Sequence, residues 1–219
     1  MKAEFRKNTV FFGLFVCSLV LSAIVVLAGQ DKTAKGIVII TEPGIAEGLV
    51  SNIAWNVRHD LRVPVSVRED KAIVAGPLLE NAVALERKRA DAVCVVVLVQ
   101  RKATALPGDR LVVTGAVAVV NIDAFRFETD NSPTNALFLS RVRRATMLSV
   151  GRALGLPPCL VPLCAMHSAK SEQEFDAEAE NFCPPCLWKA EDALRAKGVE
   201  FLPHERPAHG SHKPAPATL

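Results

Sequence analysis

The 219-residue sequence lacks a strong excess of charge of either sign, because 26 basic residues face 23 acidic residues and the formal net charge is +3. Proteins that bind the nucleic-acid backbone usually carry a marked basic excess, so we expect no nucleic-acid partner. The sequence also has no glycine-rich nucleotide loop and no serine, histidine and aspartate set whose spacing predicts a hydrolytic triad. Its six cysteines are too few for a small disulfide scaffold of this length. With 50% hydrophobic residues, the composition fits one compact domain with tails.

The N-terminal part of the chain is typical of a targeting or anchoring segment. Residues 1–8 carry three basic residues and one acidic residue, and residues 9–29 carry no charge. This order predicts a signal peptide or an N-terminal membrane anchor over residues 1–28. Val26 and Ala28 fit a cleavage site, whereas the apolar stretch is as long as the roughly 20 residues that span a bilayer. We therefore expect a domain that is exported, to the periplasm or the extracellular space, or anchored; a membrane is a partner only if the segment is uncleaved.

The rest of the chain divides into a linker, a domain and a tail. Residues 29–35 form a short polar linker, and residues 36–202 have the apolar patterns of a folded domain. Residues 203–219 contain four prolines and three histidines without apolar periodicity. This composition predicts a disordered tail, because the segment has too little apolar surface to bury.

Strand and helix patterns alternate within the domain and predict an α/β fold. Gly36–Thr41 is a β-branched run that predicts a buried strand, and apolar residues every four positions from Ile45 to Val57 predict a helix. Ala92–Val99 is apolar on both faces, which predicts a central strand with Cys94 as a core residue. The other predicted elements are a strand at 63–67, a helix at 77–89, one strand at 111–122 and a long helix at 135–154, whose Arg141, Arg143 and Arg144 are interpreted as a solvated face.

Four cysteines form two close pairs, Cys159-x4-Cys164 and Cys183-x2-Cys186. Each short loop can present two sulfurs to one metal ion, so the spacing suits a four-cysteine structural zinc site. An oxidising compartment would instead allow the same four residues to form two disulfides. The spacing alone leaves both interpretations open.

The residues around these cysteines resemble the archaemetzincins, a zinc-metallopeptidase branch of the metzincins. The family pattern is H-E-x-x-H-x-x-G-x-x-H-C-x4-C-x-M, followed by C-x-x-C. The resemblance implies a metzincin-like single domain: a mixed twisted sheet, a long active-site helix and a C-terminal four-cysteine zinc subdomain. It also implies that residues 115–121 form the edge strand above the cleft. The matching residues, in order, are Gly155, Cys159, Cys164, Met166 at the Met-turn, Cys183 and Cys186.

The chain departs from the family pattern at the catalytic positions. Metzincins hold their catalytic zinc with two histidines one helical turn apart and a third after the glycine, and a glutamate is the general base. In this chain the histidine positions are Leu148, Arg152 and Pro158, and the glutamate position is Ser149. Leucine and proline have no donor atom, arginine is protonated, and serine is no base at neutral pH. The resemblance therefore implies an archaemetzincin-like domain without catalytic residues.

Three functional hypotheses follow from these residues. The first is a catalytically inactive domain with one structural zinc ion, whose former cleft binds a peptide or protein segment along residues 112–121. The second is an active zinc peptidase with a rewired site, for which the candidate ligands are His59, His167 and the tail residues His204, His209 and His212. The third is a disulfide-stabilised secreted structural module.

Overall fold

The computed structural model of the chain describes residues 35–71, 92–102, 110–126 and 136–203. These residues all fall within one unit, Lys35–Leu219. The predicted N-terminal segment, the helix at 77–89 and the tail histidines lie outside the described residues. The boundaries of linker, domain and tail therefore stay predictions. Among the described residues, no helix has the length and apolar character needed to cross a bilayer.

Five strands form a mixed sheet at the centre of the fold. Its order is β2-β1-β3-β5-β4, with β1, β2, β3 and β5 parallel and β4 antiparallel to β5. The central strand is β3, as its two apolar faces predict. The strands are β1 (Gly36–Thr41), β2 (Val65–Glu69), β3 (Ala92–Val99), β4 (Leu111–Thr114) and β5 (Val117–Asn121).

Four α-helices and one 3-10 turn lie among the described residues. The helices are α1 (Glu47–Leu61), α2 (Ala136–Ala153), α3 (Glu172–Ala177) and α4 (Pro184–Ala196), and the 3-10 turn is Ile122–Phe125. The sequence predicted α1 and α2 within a few residues of their ends. It did not predict α3 and α4, which follow the first cysteine pair.

The prediction of one strand over residues 111–122 is wrong. The chain forms a hairpin instead, with Val113 paired to Ala118 and Thr114 to Val117. Gly115 lies in the turn with φ +54°, a left-handed conformation that glycine adopts without a Cβ clash. Consequently β5 is an internal strand, and the strand at the sheet edge is β4 rather than residues 115–121.

The long helix α2 lies across the sheet and forms the main core with it. It contacts β3, β4 and β5 and also packs against α1. Phe138 and Val142 of α2 and Ile53 and Val57 of α1 are fully buried in this core. Burial on this face explains the apolar stripe of each helix. The opposite face of β1, β3 and β5 is also buried, through a second group of valines and Ile40.

Candidate metal centre

The turn after α2 directs the chain towards the first cysteine pair. In a Schellman motif, the Gly155 N–H donates to the Arg152 carbonyl and the next N–H donates to the Gly151 carbonyl, each at 2.9 Å. Gly155 has φ +86°, which this motif requires. Beyond the turn, the Cys159 N–H donates to the Met166 carbonyl at 3.0 Å. The loop between Cys159 and Met166 is therefore closed at its base.

The second cysteine pair lies at the start of α4. Cys183 is the residue before the helix, and Pro184 and Pro185 occupy its first two positions. Proline is favoured there because it needs no N–H partner and has a preset helical φ. Cys186 is then one turn from Cys183, whose carbonyl accepts the Leu187 N–H at 2.9 Å. The helix therefore presents both sulfurs on the same side.

All four cysteine sulfurs converge. The Sγ atoms of Cys159, Cys164, Cys183 and Cys186 lie within 4.8 Å of one another. The Sγ atoms of Cys159 and Cys183 are 3.7 Å apart. A tetrahedral zinc with Zn–S bonds of about 2.3 Å separates its sulfurs by about 3.8 Å, whereas a disulfide bond is about 2.05 Å long. None of the four cysteines is disulfide-bonded in the structure. The arrangement has the dimensions of a tetrahedral metal site.

The surroundings of the sulfurs also fit a bound cation. The Val161 N–H donates to Cys159 Sγ at 3.4 Å, and the Cys183 N–H donates to Cys164 Sγ at 3.3 Å. Such bonds favour a thiolate because they place positive charge next to it.

Burial has the opposite effect on two of the thiols, since it raises the pKa of Cys164 and of Cys186. It also acts upward on the pKa of Cys183, but hydrogen bonds from the Cys186 backbone and from neighbouring thiols outweigh it and lower the net pKa. Four thiolates at this spacing therefore need a cation between them, and an all-sulfur donor set fits one that binds thiolates, such as zinc.

The Met-turn residue packs tightly under α2. Met166 is almost fully buried. A Cβ atom added at Gly151 would overlap Met166 Sδ and would lie 3.0 Å from Cζ of Phe182. Only glycine at position 151 leaves room for the methionine. The sequence analysis did not single out Gly151, because its role depends on a contact with a residue 15 positions along the chain.

The positions that carry the catalytic residues in the family pattern hold no metal donors. Leu148 and Ser149 are buried in the last turns of α2. The Ser149 hydroxyl donates to the Ala145 carbonyl at 2.6 Å, as serines inside helices often do. Arg152 and Pro158 are exposed. The Arg152 side chain has no hydrogen bond or ion pair with another residue in the described parts of the chain.

A buried ion-pair network lies beside the cysteine site. Arg144 of α2 is 1% exposed and pairs with Glu178, which also accepts a hydrogen bond from His167. The same guanidinium donates to the Phe175 carbonyl at 2.8 Å and to the His167 carbonyl at 3.2 Å. Nearby, Arg141 makes two bonds to Asp176, at 2.6 and 2.7 Å. The network ties the Met-turn and α3 to α2.

The interpretation of the α2 arginines as a solvated face is therefore wrong for two of them. Arg141 is only 4% exposed and Arg144 is buried, while Arg143 is partly exposed and pairs with Glu180. Residues that follow α2 in the chain supply the carboxylates, so the helix pattern alone could not reveal the burial. Burial lowers the pKa of Arg144 to about 10, which still leaves it charged at neutral pH.

Two of the candidate ligands of a rewired site, His59 and His167, lie among the described residues. His167, Glu174 and Glu178 place three ligand atoms within 4.8 Å of one another. The Glu178 carboxylate is already paired with the Arg144 guanidinium, however, and the positive charge of Arg144 opposes the binding of a cation there. His59 stacks on Trp55 with 4.7 Å between ring centroids, and within the described segments it belongs to no group of potential metal ligands.

One family model matches just under half of the chain. The family model for Peptidase family M54 matches residues 96–192. No curated protein matches the chain.

Three solved structures share the fold. Archaemetzincin from Methanopyrus kandleri has a TM-score of 0.57 and 19% identity, covering 76% of this chain and 99% of its own. A zinc-dependent peptidase from Methanocorpusculum labreanum has a TM-score of 0.57 and 16% identity, and the match covers 71% of this chain and 100% of its own. Archaemetzincin from Archaeoglobus fulgidus has a TM-score of 0.51 and 18% identity, and the match covers 70% of this chain and 99% of its own. Residues 96–192 therefore match the model of Peptidase family M54, and the chain shares the fold of the archaemetzincin structures.

Proposed function

We propose that this chain is a catalytically inactive archaemetzincin-like domain that holds one structural zinc ion and binds peptide or protein segments in its former cleft. The observation that carries the proposal is a contrast within one site. The four cysteines keep the spacing of a tetrahedral metal centre. At the positions that are catalytic in the family pattern, Leu148 and Pro158 have no donor atom. Ser149 is buried there, and Arg152 carries a positively charged guanidinium.

The zinc ion would be held by Cys159, Cys164, Cys183 and Cys186. A zinc ion bound there would link the loop after α2 to the start of α4 and would balance thiolates that burial otherwise disfavours. The two N–H···S bonds of the loop residues hold the sulfurs in place. This role is structural, because four protein ligands leave no open position for water or substrate.

The loss of catalysis is supported by charge as well as by missing ligands. A catalytic zinc needs neutral or anionic donors, whereas Arg152 would bring a positive charge to the same place. Ser149 cannot replace the glutamate, because its hydroxyl is buried and donates to the helix backbone. We therefore expect no general base at this position.

Peptide binding is supported by the position of β4 at the edge of the described sheet. β4 lies at the edge, and its residues alternate between partly exposed and exposed, with Val112 exposed. An extended peptide can add to such an edge through backbone hydrogen bonds. We expect a peptide array to show saturable binding that is lost when the peptide backbone is N-methylated at alternate residues. Absence of saturable binding would refute this part of the proposal.

Export or anchoring completes the proposal. It is supported by the uncharged residues 9–29 after a basic N-terminus. We propose that the folded domain lies outside the cytoplasm, either released or held by residues 1–28.

The decisive experiment measures zinc and thiols per chain in the full-length protein. We expect about one zinc per chain, lost in Cys159→Ser and in Cys183→Ser. The matched control is Cys94→Ser, which removes a buried cysteine of β3 outside the site and should retain the metal. Metal-free protein whose cysteines react only after reduction would refute the zinc site and favour the disulfide-held module. Peptide hydrolysis that a chelator abolishes would refute inactivity and favour the rewired peptidase.

A gain-of-ligand variant tests the reason given for inactivity. Combining Leu148→His, Arg152→His and Pro158→His restores three donors at the family spacing. We expect the zinc content to rise from about one to about two per chain, because three histidines suffice for a catalytic-type site. Arg152→Gln alone should leave it at about one. An unchanged content in the triple variant would show that the missing ligands are not the reason.

A further inference from the structure

One of the four clustered cysteines is more accessible than the others. Cys159 is partly exposed, whereas the other three are buried: Cys164 is 0% exposed, Cys183 7% and Cys186 5%. All other residues from 157 to 163 are exposed. A metal ion keeps its cysteine ligands as thiolates, and the oxidation of a thiolate depends on its access to solvent. A small oxidant from the solvent therefore meets Cys159 first.

A second sulfur lies within reach of Cys159. The Sγ atoms of Cys159 and Cys183 are 3.7 Å apart. A disulfide bond is about 2.05 Å long, so the two sulfurs need to approach each other by less than about 2 Å. Cys159 lies in the loop after α2, and Cys183 is the residue before α4. Both lie outside the helices, where the backbone adjusts more easily than inside a hydrogen-bonded element.

The other two sulfurs are less suited to a bond with Cys159. Cys164 is fully buried, and its Sγ accepts the Cys183 N–H at 3.3 Å. Cys186 is buried in the first turn of α4. A bond between Cys183 and Cys186 would leave the accessible Cys159 unoxidised. Cys159 and Cys183 are therefore the pair that an oxidant joins.

We propose that Cys159 is the oxidation site of a redox-sensitive metal centre, in which hydrogen peroxide joins Cys159 to Cys183 and the bound zinc ion is released. The proposal rests on the zinc-binding part of the proposed function. The spacing of the cysteines left a zinc site and disulfide bonding open as alternatives. In this proposal, a zinc site and a disulfide are the reduced and the oxidised state of one centre.

The reaction balances with hydrogen peroxide as the two-electron oxidant. The Cys159 thiolate attacks the O–O bond of the peroxide, which yields a sulfenic acid and a hydroxide ion. The Cys183 thiolate attacks the sulfenic sulfur, forms the S–S bond and releases a second hydroxide ion. Two thiolates are oxidised, one peroxide is reduced, and both hydroxide ions take protons from the solvent. Cys164 and Cys186 then remain, which are too few ligands for a structural zinc site.

The disulfide keeps the connection that the metal ion provides. It joins the loop after α2 to the start of α4, which are the two parts of the chain that the four cysteines bring together. The hydrogen bond from the Cys159 N–H to the Met166 carbonyl, at 3.0 Å, also closes the loop and involves no sulfur. We therefore expect the fold to survive oxidation and the change to be reversible.

The test uses the full-length protein in a mild detergent, prepared with a thiol reductant and zinc and then freed of both by desalting. Zinc per chain is counted before hydrogen peroxide is added. A chromogenic zinc chelator follows the release, and unreduced tryptic peptides are analysed by mass spectrometry. We expect about one zinc to be released per chain, together with a disulfide between peptide 153–170, which contains Cys159, and peptide 171–189, which contains Cys183. Fragmentation of the linked peptides assigns the bond.

Two matched variants isolate the contribution of Cys159. Cys159→His removes the accessible sulfur but keeps four donors, because three cysteines and one histidine are a common ligand set of structural zinc. This variant should hold about one zinc per chain and release it to peroxide at least about tenfold more slowly. Cys94→Ser removes a buried cysteine of β3 outside the site and should release zinc at the unmodified rate.

The outcomes separate the oxidation site from the zinc site. Protein that holds no zinc before peroxide is added would refute both. Bound zinc that peroxide does not release would overturn the oxidation site and leave the zinc site standing, and so would release with a bond inside peptide 171–189. The peptide map of the unmodified chain decides the question even if Cys159→His binds no zinc.

Reversal of the reaction completes the test. A thiol reductant followed by zinc should restore about one zinc per chain in the oxidised protein, because reduction regenerates both thiolates. Oxidised protein that aggregates and binds no zinc after reduction would indicate damage and overturn the redox-sensitive centre.

Discussion

Gly151→Ala tests the packing of the Met-turn against α2. A Cβ at this position would overlap Met166 Sδ and approach the Phe182 ring to 3.0 Å. Gly151 is buried in α2, and Met166 and Phe182 belong to the buried core, so neither neighbour can move into solvent. Overpacking of this kind costs about 1–3 kcal/mol, while alanine in place of glycine inside a helix gains about 1 kcal/mol. We expect a net loss of up to about 2 kcal/mol in the free energy of unfolding.

Gly48→Ala provides the matched control for this change. Gly48 also lies in a helix, α1, but an added Cβ there has no neighbour within 4 Å. The same substitution should therefore stabilise the protein by up to about 1 kcal/mol. The difference between the two variants isolates the cost of overpacking. Urea unfolding followed by circular dichroism, at one fixed zinc concentration, measures both.

A double variant identifies the contact that causes the loss. Met166→Ala removes the side chain that the new Cβ would meet, so Gly151→Ala should cost much less in that background. Residues in contact show such non-additive effects, of about 0.5–3 kcal/mol. If Gly151→Ala left the protein as stable as Gly48→Ala does, or if the two changes were simply additive, the packing argument would be refuted.

Two further changes probe the ionisable groups. Arg144→Met should cost about 3–5 kcal/mol, because it leaves Glu178 buried without its partner; adding Glu178→Gln should recover much of the loss, and Arg152→Met at an exposed position should have little effect in the same unfolding assay. Burial raises the pKa of Asp60, so this carboxyl destabilises the folded state increasingly as the pH rises above its unfolded pKa, and fully above its folded pKa. Asp60→Asn should therefore stabilise the protein at neutral pH, and the gain should disappear as the pH falls below about 4, where the unfolded carboxyl is also protonated; a gain that grows on acidification would contradict this sign.

Local patterns in the sequence were sufficient to predict most of the regular elements. β3 was predicted with its observed bounds because eight consecutive apolar residues fit only a strand covered on both faces. The long helix α2 was predicted because glycine and two prolines end its apolar pattern. The hairpin of β4 and β5 was missed, because alternating alanine and valine on both sides of Gly115 look like one continuous strand. A glycine within a strand pattern marks the position where such a turn can form.

The sequence by itself determined which residues are available for chemistry. The spacing of the cysteine pairs, the absence of donors at Leu148 and Pro158, and the positive charge of Arg152 all follow from residue identity, because side-chain chemistry does not depend on the fold.

Only the tertiary structure decided which of these residues meet. Eighteen residues separate the two cysteine pairs, and their convergence depends on the turn at Gly155 and on where α4 begins. The burial of Arg144 depends on Glu178, which lies 34 positions away. The requirement for glycine at position 151 depends on Met166. Each of these is a long-range contact, and its free energy comes from surfaces that come together only when the chain folds.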